Sequence, residues 1–401
     1  MAHLTLLFGI LPNSNYDKIV CDSKGGIQYA ADALQKSIIE GLGQLTDSID
    51  LINLPFVGSF PKRYNKSVIP SYNFTHTVGE NDIPGYNVAF SNITGYKLFS
   101  RYWNARKALL RNSHQTTILI YSIHLPFLKA AVDFKKRNKG SKIVLVVPDL
   151  PEFMAQQKNT KRKVLEYFNS KFLARQYRHV DGYVLLSEHM VERLPIGDRP
   201  WTVVEGIFNP KDAPLGSVKE ETLGRYILYT GTLARRYGIM NLVEAFIKLP
   251  IRDVNLVICG DGDSKGAIIE AAKADNRIIY KGLIKREEAL RLQQNATLLV
   301  NPRTPEGEFT KYSFPSKTME YLASGIPTLI YKLSGIPDEY YNYCFSIDDL
   351  SIEALTRKLV YILGLPQEAL NEIGLKARHF IYENKSPRNQ SRKIIELINI
   401  L

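Results

Sequence analysis

The chain has 401 residues, 45% of them hydrophobic, which is long for one core and suits two α/β domains of about 200 residues each. Its three cysteines, Cys21, Cys259 and Cys344, lack metal-ligand spacing and favour a reducing compartment, with each thiol a small core residue rather than part of a zinc site or disulfide. No apolar stretch reaches the roughly 20 residues of a spanning helix. Residues 1–11 show no secretion signal, so we expect a cytoplasmic protein.

The formal net charge of +12 lies mostly in the first half, where residues 1–200 carry 26 Lys and Arg against 16 Asp and Glu. The basic residues concentrate in 101–111, 134–142 and 159–178, interleaved with aromatic residues and leucines. Such a mixture is typical of a surface that lies on an anionic membrane. A solvated helix face is the competing interpretation. No recognised nucleic-acid motif accompanies the charge, so we expect no nucleic-acid partner.

Short β-rich apolar runs alternate with amphipathic stretches along the whole chain, which predicts an α/β protein with doubly wound parallel sheets. The predicted strands are 4–10, 49–55, 116–123, 142–148 and 181–187 in the first half, and 225–231, 254–260, 277–283, 296–302 and 326–332 in the second. Segment 205–222 has Gly, Pro and charge without periodicity and predicts a boundary. We therefore expect domains at 1–208 and 209–380, with ligands at the carboxyl ends of strands in a cleft between them.

Four positions in the first half follow predicted strands. Gly25 and Gly26 stand before a predicted helix and could form a site loop or a flexible loop tip. His124 could act on a substrate, although a lone histidine near a strand end also serves structural roles. Asp149 could orient or deprotonate a substrate hydroxyl, or cap the turn before Pro151.

Glycine turns follow strands in the second half. Gly231 permits close approach of the backbone, and Arg235 or Arg236 could pair with a diphosphate or remain surface charges. Gly260 belongs to a Gly-x-Gly turn. It does not fit a dinucleotide fingerprint, which places three spaced glycines in the first βαβ unit.

The most informative segment is 301–327, where a predicted strand runs through a polar loop into the helix SKTMEYLASG. A helix start exposes unpaired N–H groups and the positive end of the dipole, which favours phosphate. Lys317 would add charge in the first turn, and Glu320 would suit ribose hydroxyls. Alternatively, Glu320 complements the dipole and Lys317 is a solvated charge.

This segment resembles the donor helix of the retaining glycosyltransferases of family 4, which have the GT-B fold of two Rossmann-like domains facing a central cleft. Their helix carries two glutamates eight residues apart and ends in Ala-Ser-Gly-x-Pro. Glu320 and residues 323–327 match, whereas Tyr312 stands at the first glutamate's place. The stretch YSFPSKTMEYLASG is similar to a subgroup from bacterial capsule and exopolysaccharide pathways.

The resemblance implies roles for particular residues. The family's first glutamate touches the donor sugar, so Glu306 or Glu308 would have to replace it. The family's phosphate-turn cations are replaced by Thr232 and Tyr237, which shifts that role to the arginines nearby. The full donor-binding prediction is Gly231, Thr232, Arg235, Arg236, Gly260, Gly282, Leu283, Ile284, Glu308, Tyr312, Ser316, Lys317 and Glu320, with residues 282–284 against the nucleotide base.

For the first half, the resemblance places Gly25 and Gly26 near the donor phosphates and acceptor, and Asp149 near the reacting carbon, with His124 as a second catalytic candidate. It also implies that residues 381–401 form a helix that returns to the first domain. We thus expect a retaining transferase that moves a hexose from a nucleotide diphosphate sugar, of the UDP class, to a glycan or lipid-linked acceptor of surface polysaccharide or glycoconjugate biosynthesis.

The expected enzyme needs no metal or cofactor, since helix N-termini and basic side chains meet the leaving-group charge. It would be peripheral on the inner face of the cell membrane, with a homo-oligomer or a partner transferase left open. The alternative is a non-catalytic GT-B subunit that binds or activates a partner transferase, which Tyr312 and the altered phosphate turn favour.

Overall fold

The computed structural model describes residues 3–78, 81–111, 115–154, 171–212 and 223–401. The chain divides into two compact units: Met1–Ile207 with Pro387–Leu401, and Phe208–Ser386. Each unit is built on one large sheet. Within the described residues, no helix is both long and apolar enough to cross a bilayer.

The first unit holds an eight-stranded sheet in the order β10-β9-β8-β7-β1-β2-β5-β4 and a separate antiparallel pair, β3 and β6. Neighbours in the large sheet are parallel except β4 and β5. Its central strands are apolar on both faces, as parallel strands covered by helices are. The strands are β1 (Leu4–Phe8), β2 (Ile49–Asn53), β3 (Val68–Ile69), β4 (Tyr72–Val78), β5 (Asn81–Asn87), β6 (Phe90–Ser91), β7 (Thr117–Tyr121), β8 (Lys142–Val147), β9 (Gly182–Leu185) and β10 (Trp201–Val203).

Helices connect these strands and cover the sheet. They are α1 (Tyr16–Asp22), α2 (Tyr29–Gly43), α3 (Lys97–Arg111), α4 (Leu125–Arg137) and the short α5 (Pro151–Met154), and residues 171–177 are also helical. Pro126 in the first turn of α4 fits because the first N–H groups of a helix have no helical partner. The core of this unit joins β1 to α2 through side chains such as Leu6, Ile38 and Leu42.

The second unit holds a six-stranded sheet in the order β13-β12-β11-β14-β15-β16, with all neighbours parallel. Its strands are β11 (Arg225–Thr230), β12 (Val254–Cys259), β13 (Ile278–Gly282), β14 (Leu298–Asn301), β15 (Thr328–Tyr331) and β16 (Phe345–Ile347). Alternate residues of β11 enter different cores: Ile227 packs on one face and Leu228 on the other. Because all six strands are parallel, their carboxyl ends lie at the same edge of the sheet.

Six helices flank this second sheet in the described part of the unit. They are α6 (Ile239–Ile247), α7 (Lys265–Ala274), α8 (Arg286–Asn295), α9 (Ser316–Ala323), α10 (Ile352–Leu363) and α11 (Gln367–Asn384). Ser351 caps α10, since its hydroxyl accepts a hydrogen bond from the Ala354 N–H. The last helix, α12 (Pro387–Asn399), packs against α2 in the first unit.

The predicted α/β class with doubly wound parallel sheets is confirmed, while several details differ. We predicted that the first domain ends at residue 208 and the second at residue 380. In the structure, the second unit begins at Phe208 and ends at Ser386. The second boundary lies later because α11 continues unbroken to Asn384. Strands β4 and β5, at one end of the sheet, were missed because their sequences, YNFTHTV and NDIPGYN, are largely polar and the second contains Pro84. Cys21 is exposed, so it is not the core residue that was expected.

Candidate functional site

Three glycine turns meet at the carboxyl edge of the second sheet. Backbone bonds tie them together: the Gly231 N–H donates to the Cys259 carbonyl at 3.0 Å, and the Gly260 N–H donates to the Gly282 carbonyl at 2.7 Å. A Cβ atom on Gly260 would lie 1.8 Å from the Gly231 carbonyl oxygen, so only glycine fits there. The turns of Gly231, Gly260 and Gly282 thus lie side by side at the carboxyl edge of the sheet, where such folds bind ligands.

Helix α9 begins beside this edge with its first N–H groups free of a side-chain cap. Lys317 lies in its first turn and donates to Glu320 Oε1 at 2.7 Å. Ser316 is the first helical residue and is exposed. An open helix start next to a lysine is an arrangement that attracts phosphate oxygens.

Glu320 is an acidic group of the candidate site that has partners on two helices. Besides Lys317, its Oε1 accepts a hydrogen bond from Gln293 Nε2 at 2.7 Å, and Arg286 lies 3.8 Å from its Oε2. Burial disfavours the charged carboxylate, but the charge of Lys317, the hydrogen bonds from Lys317 and Gln293, and Arg286 outweigh it and lower the pKa of Glu320. The carboxylate is therefore held ionised and oriented.

The Glu320 network continues beneath the Gly231 turn. Gln293 Nε2 also donates to Thr230 Oγ1 at 3.2 Å, and the Thr230 N–H donates to the buried Tyr321 hydroxyl at 2.8 Å. The Gln293 Oε1 atom is buried and has no hydrogen-bond partner among the described residues. These bonds link the end of β11 to α8 and α9, which fixes the spacing between the glycine turn and the helix start.

Two arginines share a pair of aromatic rings near the end of β14. The Arg303 guanidinium lies 4.8 Å from the Phe309 ring centre and 5.4 Å from that of Tyr237, and Arg236 approaches the same rings at 5.7 and 5.0 Å. Arg303 also donates to Ser313 Oγ at 2.8 Å. The predicted residue Arg236 is thus held in place.

The remaining predicted donor residues are spread along the same edge. Arg235 and Thr232 are exposed in the loop after β11. Leu283 has a 77% exposed side chain, unusual for leucine, and lies with the half-buried Ile284 between β13 and α8. Glu308 lies on the exposed surface of the 302–312 loop.

Glu306, a candidate to replace the missing glutamate, and Tyr312, which stands at that glutamate's place, differ in exposure. The exposed Glu306 contacts Thr304, with 3.3 Å between Thr304 Oγ1 and Glu306 Oε2. Tyr312, by contrast, has a buried side chain. Its ring packs inside the protein instead of presenting a surface.

In the first unit, His124 and Gly26 line one cavity together with three basic residues. Gly25 precedes Gly26, and both have left-handed φ angles, 87° and 79°, with open space around the Cβ position. Asp149 follows β8 and is not among the residues that line this cavity. Desolvation raises the pKa of its carboxyl, although its surface stays accessible to solvent.

Some basic residues of the segments predicted for a membrane surface are buried or paired, and others are exposed. Arg101 is buried, which corrects its assignment as a surface cation, and Lys135 is paired with Asp181 at 2.7 Å. Lys107, Lys136, Arg137 and Lys139 are exposed. Within 159–178, residues 159–170 lie outside the described residues.

Several contributors were not predicted from the sequence. Gln293 and Arg286 reach Glu320 from α8, and Arg303 comes from the end of β14. The strand-end position of Arg303 was an available signal, since residues that follow parallel strands share the ligand edge. For Gln293 nothing in its local sequence distinguishes it from an ordinary helix residue.

The sequence of the second unit is similar to a known protein family, and the whole chain is similar to solved structures. Residues 217–386, nearly all of the second unit, match the family model described as Glycosyl transferases group 1. Sucrose-phosphate synthase from Thermosynechococcus elongatus has a similar structure, with a TM-score of 0.65 at 15% identity over 99% of this chain and 98% of that one. The fold is GT-B.

Other GT-B structures cover the whole chain as well. Anabaena HepE, solved with UDP and glucose, gives a TM-score of 0.61 at 13% identity, with 100% of both chains covered. Trehalose-6-phosphate synthase OtsA gives 0.65 at 13% identity, again with 100% of both chains covered. No curated protein matches the chain significantly. The family match and the GT-B fold together support a glycosyltransferase.

Proposed function

We propose that this chain is a retaining glycosyltransferase that moves a hexose from a UDP-sugar to a glycan or lipid-linked acceptor of surface polysaccharide or glycoconjugate biosynthesis. The observation that carries the proposal is the ionised Glu320, oriented by Lys317 and Gln293 at the open start of α9. It offers a carboxylate for ribose hydroxyls beside a cationic site for phosphate. Relatives of the same fold, such as HepE, have been solved with UDP and with UDP-glucose.

The proposed chemistry needs a place for the charge that develops on the leaving diphosphate. The N–H groups of α9 and the Lys317 ammonium would take it, and preorganised groups of this kind stabilise developing charge without a metal. Arg235 and Arg236 would contact the diphosphate from the Gly231 turn. The backbone of residues 282–284 would receive the base, with the exposed Leu283 covered by it.

In the first unit, the proposed acceptor hydroxyl would meet Asp149 or His124. Asp149 suits a proton acceptor better, because its raised pKa makes the carboxylate more basic than an ordinary aspartate. His124 has a pKa lowered well below the ordinary value by burial, Arg101 and Lys97, so the ring stays neutral. It would therefore donate or accept a hydrogen bond without charge.

We also propose that helix α3 lies against an anionic bilayer that presents the acceptor. Tyr96, Phe99 and Trp103 have 51%, 53% and 44% exposed side chains, and their rings contact one another at 5.5 and 6.0 Å. Arg106 lies over Trp103, and Lys107 is exposed on the same helix. Aromatic rings with neighbouring cations suit the headgroup region of anionic lipids.

The test of donor binding is calorimetric titration of UDP, GDP, ADP and a panel of UDP-hexoses. UDP should bind selectively, and Lys317→Ala should weaken it about 10- to 100-fold, since a charge-assisted phosphate contact is lost. The matched control is Lys273→Ala on α7, which removes a lysine that also pairs with a glutamate three residues away, at 2.8 Å, far from the sheet edge.

Release of UDP with acceptor-bearing membranes would then establish transfer and name the sugar. Unchanged UDP affinity in a folded Lys317→Ala protein would refute the donor site. If the wild-type protein bound no nucleotide, the non-catalytic partner subunit would become the better account.

A further inference from the structure

The first unit contains a cavity of about 460 Å³ whose charged lining is entirely basic. It opens between the loop before α2, the 56–59 loop and the starts of α3 and α4. Arg63, Lys97, Arg101 and His124 line it, and no carboxylate occurs among the described residues of its wall. Three cationic side chains beside a neutral histidine, with no carboxylate in the described lining, call for a physical reason.

Arg101 is the clearest case. It is 1% exposed, and its terminal nitrogens donate to the carbonyls of Pro55 at 2.9 Å and Leu54 at 2.6 Å. Its guanidinium lies about 5 Å from the centres of three aromatic rings, those of Phe56, Phe90 and Phe127. Its Nε has no partner in the described structure. Burial lowers the pKa of Arg101, yet an arginine keeps its proton, so a full charge remains without an anion.

Lys97 adds to the same imbalance of charge, and His124 adds a ring nitrogen without a hydrogen-bond partner in the described structure. Lys97 donates to the Val57 carbonyl, and burial together with the charge of Arg101 lowers the pKa of Lys97 to about 8. His124 has a buried Nδ1 that meets no partner within the described residues. Ser122, at the end of β7, has a left-handed φ of 68°, and its carbonyl accepts the His124 N–H at 2.8 Å. The turn before His124 thus carries a local cost in backbone strain.

Unpaired buried cations cost free energy unless a ligand supplies the missing anion. Lysine and arginine only donate hydrogen bonds, whereas a neutral sugar hydroxyl must be met by acceptors as well as donors. Arg63 and Lys97, which both line the cavity, therefore suit an anion with several oxygen atoms. A phosphate has three such oxygens and a charge near −2.

We propose that this cavity binds a phosphate group carried by the acceptor substrate. Gly26, with no atom within 4 Å of its Cβ position, leaves room on the remaining side. Calling the ligand an acceptor rests on the proposed transferase function, while phosphate binding itself does not. The phosphate could belong to a lipid phosphate or to a sugar phosphate, and the two sources are separable by experiment.

The experiment titrates the full chain with farnesyl phosphate, farnesol, glucose 1-phosphate and glucose, with UDP present in excess. The titrations are repeated in Lys317→Ala, so that phosphate binding in the second unit is recognised. Each phosphate that binds should bind at least 10-fold more tightly than its neutral counterpart. A preference for farnesyl phosphate would identify a lipid-linked acceptor, and a preference for glucose 1-phosphate would identify a phosphorylated sugar.

Arg63→Gln and Lys97→Gln should each weaken the preferred phosphate about 10-fold and leave the neutral compounds unchanged. Lys18→Gln, on the exposed surface of α1, is the matched control and should change nothing. Arg63 is exposed, so its variant tests the site even if Lys97→Gln fails to fold. Equal affinity for phosphates and neutral compounds, or equal effects of Lys18→Gln and the cavity variants, would overturn the proposal.

The outcomes for the two units are independent. Phosphate binding by the first unit without nucleotide binding would leave the cavity assigned and reject the transferase. UDP-dependent transfer without any preference for phosphate would support the transferase and reject the phosphate site in the cavity.

Discussion

The charged form of the Lys97 side chain is disfavoured by its surroundings. Its pKa of about 8 is well below that of an exposed lysine, about 10.4, because of burial and Arg101. Arg101 and His124 are the charged or titratable groups that act on it, and its ammonium donates to the Val57 carbonyl. In the folded protein this lysine therefore loses its proton about two pH units earlier than in the unfolded chain.

The sign of the effect follows from linkage. Between about pH 8 and pH 10.4 the unfolded chain binds more protons at Lys97, so this group makes the free energy of unfolding rise with pH. Lys97→Met should remove that contribution, and urea denaturation of both proteins across this range measures the difference. Lys107→Met is the control. Equal slopes for the wild-type protein and Lys97→Met would contradict the shifted pKa.

Single residues also show what sequence can reveal about a site. Lys317 and Glu320 were predicted from their place at a helix start and lie together. Arg101 was taken for a surface cation, although it shares a helix face with the buried Ala105 and Ala108, four and seven residues further on. The helical spacing of these residues therefore indicated that Arg101 is buried. For Gln293, only the fold brings its amide to Glu320.

At the scale of elements, helix α3 has two faces with different uses. One carries Arg101 into the cavity, and the other exposes Phe99 and Trp103, continued by Tyr96 just before the helix, at spacings of three and four residues. The buried strands were predicted because continuous apolar runs mark central parallel strands. Strands β4 and β5 were not, since the edge strand β4 needs little apolar sequence and the pairing of β5 with β2 is set by residues distant in the chain.

The exposed aromatic face of α3 makes a testable element. Replacing both Phe99 and Trp103 by Ser should weaken binding to vesicles that contain anionic lipid about 10-fold or more, because buried aromatic area is lost. Cosedimentation with vesicles measures the change. The chain has two tryptophans, so in Trp201→Phe the emission of Trp103 should shift to the blue on binding.

Trp201→Ser, which removes a similarly exposed ring from β10, is the matched control for binding. Vesicle affinity unaffected by the double substitution, or lowered as much by Trp201→Ser, would remove the membrane from the proposed function.

At the scale of the whole molecule, the chain returns to its first unit through α12. Ile394 and Leu397 of this helix enter the core of that unit, and Gln390 donates to Glu205 Oε2 at 3.1 Å and to the Gly206 carbonyl at 2.8 Å. Gly41 of α2 makes the close contact possible. A Cβ atom there would lie 2.0 Å from the Pro387 carbonyl oxygen.

Gly41→Ala should therefore lower the free energy of unfolding of the first unit by about 1–3 kcal/mol, because backbone has to move. Both tryptophans belong to this unit, so tryptophan fluorescence in a urea titration reports on it directly. Gly266→Ala in α7 has open space around its Cβ position and should leave this transition unchanged. A Gly41→Ala midpoint equal to that of the wild-type protein would show that α12 docks elsewhere.

The return of α12 also sets an order for biosynthesis. When the ribosome has made residue 386, every segment of the second unit exists, whereas the first unit still lacks the helix that covers α2. Core residues of α2 such as Ile38 then have no contact with Ile394 or Leu397. The segment made first is thus completed last, and the nascent first unit keeps an apolar face uncovered until translation reaches α12.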